Sequence, residues 1–132
     1  MYEVFVSYTE RGEDTFLCES KPSINVKGGL VFLDGGKGQK LAIAIDTLVY
    51  LKIKYPLPDR VPEIKYETNI YYHTETEDVE LIFSPTTVNI QVDGYNDCYT
   101  PVVLVKESDS VIRIINSSFL RNIKVVQHQE PM

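Results

Sequence analysis

A chain of 132 residues, 43% hydrophobic and 24% charged, has the length of one ordinary domain or two very small ones and enough apolar material for a core. It holds no apolar run near the ~20 residues that cross a bilayer as a helix, so no membrane span is expected. The net charge is −6, and residues 61–132 carry all of the excess (five basic against eleven acidic), which argues against generic nucleic-acid binding because that needs a basic face.

In chain order, nearly every segment alternates with period two. "YEVFVSY" opens the chain, and "TFLCES", "SINV", "GLVFL", "LAIAI" and "VYLKIKY" follow, each bounded by Gly, Pro, Asp, Asn or Ser. Nine Tyr and five Phe without any Trp suit pleated, half-buried surfaces, and no stretch carries the 3.6-residue stripe of a long helix. The N-terminal "MYEVFVSYTERGED" lacks the basic region and apolar stretch of a secretion signal, so a cytoplasmic protein is expected, with Cys18 and Cys98 as free thiols. "YPLPDRVPEI" then sets Pro56, Pro58 and Pro62 within a few residues, an extended connector that cannot enter a ladder.

Beyond this connector the order of features returns. A shift of 66 positions lays "SINVKG" on "NIQVDG", pairing Ile24 with Ile90 and Val26 with Val92. A shift of 70, four residues more because of an insertion around "YNDCYTP", lays "LAIAIDTLVYLKIK" on "VIRIINSSFLRNIK" and pairs Asp46 with Asn116. Asp or Asn followed by Ser or Thr is turn chemistry, since the short side chain bonds the backbone two or three residues on; a tight or 3₁₀ corner between two strands is predicted at both places. Strand, short 3₁₀ turn, strand resembles the closing segment of a small SH3-like barrel. The expected fold is all-β: two similar SH3-like halves, 1–55 and 65–130, joined by the connector 56–64 and packed together. A single β-sandwich or barrel is the alternative. Ile43, Ile45, Val49, Leu51 and Ile53 are expected in the core of the first half.

Three stretches are candidates for function. "DGGKGQK" offers Gly35, Gly36, Lys37, Gly38 and Lys40 as a cradle for a nucleotide or other anion, although the spacing is not that of a phosphate-binding loop and Asp34-Gly35 is a hairpin signal. "HTETEDVE" gathers four carboxylates without a calcium-loop pattern, so no metal and no cofactor is expected. His73 and His128 are the only histidines, and no nucleophile elbow accompanies them. Tyr50, Tyr55, Tyr66, Tyr71, Tyr72, Tyr95 and Tyr99 cluster around the connector and the inserted loop, where they either pack the seam between the halves or meet a partner. The leading expectation is a non-catalytic protein-binding or assembly module that uses Tyr66, Tyr72, Tyr95 and Tyr99. Such a module would suit a phage or mobile-element accessory or inhibitor. Self-association through sheet edges is expected as well, and the alternative is a small-ligand binder acting through the glycine loop.

Overall fold

The computed structural model describes residues 2–10, 12–56, 63–73, 78–93 and 101–127. Over these the chain is all-β. Its strands are β1 (Tyr2–Tyr8), β2 (Glu13–Cys18), β3 (Ser23–Lys27), β4 (Leu30–Gly36), β5 (Gln39–Ala44), β6 (Leu48–Lys54), β7 (Tyr66–Tyr72), β8 (Asp78–Ser84), β9 (Val88–Asp93), β10 (Val102–Glu107), β11 (Ser110–Asn116) and β12 (Leu120–Gln127). Two 3₁₀ turns, η1 (Ile45–Thr47) and η2 (Ser117–Phe119), stand at the two predicted corners. Most of the Pro-rich connector, the inserted loop with Tyr95 and Tyr99, Cys98 and His128 lie outside the described residues.

Among the described residues all pairing is antiparallel and forms three sheets: β2-β1-β6-β11-β10-β9, β12-β7-β8 and β3-β4-β5. One pairing scheme occurs twice. β2 and β6 flank β1 as β8 and β12 flank β7, and β3 and β5 flank β4 as β9 and β11 flank β10. The six-stranded sheet arises because β6 also pairs with β11, through Leu51 opposite Ile114 and Tyr50 opposite Ile115.

The ladders correct the register of the repeat. Leu30 stands opposite Ala44 and Val102 opposite Asn116, so Asn116 corresponds to Ala44, two residues before Asp46. Both are extended residues that lead directly into a 3₁₀ turn (φ −69°, ψ 125° and φ −66°, ψ 121°). Side chains alternate with period two, so a slip of two residues leaves every inward residue inward and the hydrophobic pattern cannot detect it.

The core has two parts, on opposite faces of the six-stranded sheet. Val4, Val6, Leu51, Ile53, Val102, Leu104 and Ile114 pack with Val26, Val31, Leu33 and Ile43 of the β3-β4-β5 sheet and with Ile45 of η1. Val103, Val105, Ile112 and Ile115 pack with Ile70, Tyr72 and Ile82 of the β12-β7-β8 sheet. β10 is therefore buried on both faces, which its unbroken "VVLV" run allows. Ile43, Ile45, Leu51 and Ile53 are core as predicted, but Val49 is not, and Leu48 takes its place. The 3₁₀ turn resets the alternation, and a bulge at Val49 against the Ser7/Tyr8 step turns its side chain away.

Candidate functional site

A groove of about 1070 Å³ opens where the end of the β12-β7-β8 sheet meets the outward face of β1 and β6. Ser7, Tyr8, Tyr50 and Lys52 line one wall; Tyr72, His73, Asp78, Val79, Glu80 and Phe119 line the other. The register explains the composition. Tyr50 and Lys52 lie on the face of β6 opposite Leu51 and Ile53, while Tyr72 ends β7, opposite both Leu120 and Asp78.

The floor of the groove is a partly buried polar network. The Tyr72 hydroxyl donates to Glu80 Oε2 at 2.7 Å, and Arg113 Nε donates to Glu80 Oε1. Arg113 also donates through Nη1 to the Ile112 carbonyl at 2.8 Å. The Arg113 and Glu80 side chains are each only 16% exposed, so each charge relies on the other in place of water. The Tyr50 ring leans on Tyr72, with centroids 5.4 Å apart and planes tilted by 36°. Burial, then the Glu80 charge, raises the Tyr72 phenol far above its ordinary range. Tyr50 is raised by burial and by Glu80 and Glu13, against smaller opposing effects of Ser7 and Arg113. Desolvation and Asp14 raise Tyr8. These phenols are held neutral, as aromatic faces with a hydrogen-bonding tip. Lys52 Nζ sits 5.4 Å over the Phe5 ring.

In the glycine loop, acidic side chains engage part of the candidate anion site. Gly36 N–H donates to Asp34 Oδ1 at 3.0 Å, and Lys37 Nζ pairs with Glu19 Oε2 at 2.5 Å. Acidic side chains thus hold two of the groups offered to an anion, the Gly36 N–H and the Lys37 ammonium, while Gly38 and Lys40 are exposed. A small pocket of about 300 Å³ beside the loop is walled by Phe16, Leu17, Cys18, Leu33, Gly35 and Leu41, and burial pushes the Cys18 thiol up.

Of the tyrosines expected to meet a partner, Tyr66 is half-buried at the start of β7 and Tyr72 is only 4% exposed, a floor residue. Tyr95 and Tyr99 lie outside the described residues. Tyr50 packs against the cluster around Ile70 and Tyr55 against both clusters, and the Tyr55 hydroxyl donates to the Val111 carbonyl at 2.8 Å. Of the carboxylate run, Asp78 reaches the groove rim and Glu80 turns inward to Arg113. The described residues contain no group of three or more metal-ligating side chains.

Sequence reasoning passed over β8. Val79, Leu81 and Phe83 alternate along this edge strand at 45%, 49% and 50% exposure. The signal was the "VELIF" run, in which apolar residues fall on both faces instead of one. No protein-family model, no curated protein and no solved structure matches this chain.

Proposed function

We propose that the chain is a non-catalytic protein-binding module that receives a partner along β8 and the groove beside it. The observation that carries this reading is the apolar row Val79, Leu81 and Phe83 on a sheet edge. Solvated edge strands are ordinarily guarded by charge, proline or brevity, and among the described residues this one presents exposed apolar side chains at the edge of its sheet. The fold contains its own control. β2 stands to β1 as β8 stands to β7, and its corresponding residues are Glu13, Thr15 and Leu17. The pairing scheme does not demand apolar residues there, so their presence on β8 is an added property.

The groove supports the same reading. Both Glu80 oxygens are engaged, one by Tyr72 and the other by Arg113, so the carboxylate fixes the aromatic floor. Capture with tagged protein from its native host, compared with a Leu81→Lys variant of unchanged melting temperature, tests the proposal. Partners kept by the native protein and lost by the variant are expected; identical capture by both would refute it.

A further inference from the structure

We infer that the partner on β8 is a second copy of this chain, added antiparallel about a two-fold axis at Leu81. The inference rests on the reading of β8 as a binding edge. Its basis is that β8 is self-complementary in one register. With Leu81 facing its own copy, Val79 meets Phe83 of the second chain on the outward face, and Glu80 falls opposite Ile82 on the inward face. Asp78 falls opposite Ser84, so no like charges face each other. Glu80 is the charge nearest the axis, and Arg113 already neutralises it. The pairing would join two three-stranded sheets into one of six, β12-β7-β8-β8-β7-β12, and would bring six apolar side chains together across the seam.

Two other edges carry more charge than β8 does along its outward row. β2 begins with Glu13 and Asp14, and β12 carries Arg121 and Lys124. β9 exposes two apolar side chains, Ile90 and Val92, to the same extent as the three on β8, and therefore serves as the comparison strand in the test.

Light scattering behind size exclusion should find a dimer at about 0.1 mM, where pairing of micromolar affinity is nearly complete. Leu81→Lys sets two ammonium groups face to face at the axis and should weaken the dimer about tenfold or more. Thr15→Lys, the corresponding change on β2, and Ile90→Lys on β9 should leave it intact. Leu81→Cys should give an oxidised dimer whose linked peptide maps to residue 81 of both chains. A monomer at that concentration, a dimer indifferent to Leu81→Lys, or one lost on Ile90→Lys would each overturn the inference. A monomer that still captures other proteins, and loses them on Leu81→Lys, would sink the self-pairing alone. A β8 dimer in which the native protein and the variant capture the same host proteins would leave self-pairing standing and remove the host partner.

Discussion

Asn116 is 3% exposed, and its carboxamide ties one corner to the other. Nδ2 donates to the carbonyls of Ile45 and Leu48, both at 2.9 Å, and Oδ1 accepts from the Ser118 N–H at 3.0 Å. The Ser118 bond is the local turn chemistry that an Asn two residues upstream supplies. The other two reach across 71 and 68 residues to carbonyls at η1. Asn116→Ala would leave buried carbonyls without those donors, and a loss of about 2–4 kcal/mol in urea unfolding is expected. A loss below about 0.5 kcal/mol would mean that water replaces them. Tyr72 gives a pH prediction. Its phenol is raised in the fold, as are Tyr50 and Tyr55. An acid whose folded pKa lies above its unfolded value, about 10 for Tyr, contributes stability below that value, and the contribution is lost as pH rises toward the folded pKa. Stability should therefore fall from about pH 10 upward, and Tyr72→Phe should flatten that fall. Denaturant melts across the alkaline range, with tyrosinate absorbance followed in parallel, would show it; an unchanged slope would exclude Tyr72 as the cause.

At the scale of elements, the corner between β5 and β6 sets what is buried. Ile45 and Leu48 both turn inward across the 3₁₀ turn, at 1% and 0% exposure. Ile45→Ala should cost roughly 2–5 kcal/mol, while Val49→Ala, on the groove rim, should cost less than about 1 kcal/mol. Equal costs in parallel melts would contradict the reset of alternation. β4 holds a second constraint. A Cβ on Gly35 would stand 2.7 Å from Cys18 Sγ, whereas one on Gly38 would meet nothing within 4 Å. Gly35→Ala should therefore destabilise by about 1–3 kcal/mol through overpacking. Gly38→Ala pays only for its φ of +79°, about 1 kcal/mol. Relief of the Gly35→Ala defect by Cys18→Ala would identify the sulfur contact as its source.

At the scale of the molecule, the β6·β11 junction makes the chain's two cores interdependent. Val102, Leu104 and Ile114 complete the cluster built on β1 to β6, while Tyr50 and Tyr55 complete the cluster on β7 to β12. A fragment of residues 1–56 would expose the face that those three side chains cover, and one of residues 63–132 would lose the Tyr50 cap on Tyr72. Neither should fold alone, and the whole chain should unfold in one transition. Coincident melts by far-UV dichroism and tyrosine fluorescence are expected. A folded fragment in dispersed NMR spectra would show that the cores are separable.

The sequence by itself determined the all-β class and the place of the two corners, because period-two alternation and turn chemistry act over a few residues. Asn116 accepts from the Ser118 N–H as that chemistry predicts, whereas the first 3₁₀ turn has no such cap from Asp46 and Thr47 Oγ1 instead donates back to the Ala44 carbonyl. It also showed that one feature order occurs twice, with Ile24 matched to Ile90 and Val26 to Val92 in the ladders. The matching stops at backbone position: Val26 is buried, while Val92 is 54% exposed. Only the tertiary structure decided the register of the corners, because alternation is blind to a slip of two. Only it decided that β6 adjoins β11, that Arg113 neutralises Glu80, and that β8 presents its apolar row at an edge. Those outcomes depend on which strands meet across dozens of residues, and alternation records only which side of its own strand a residue faces.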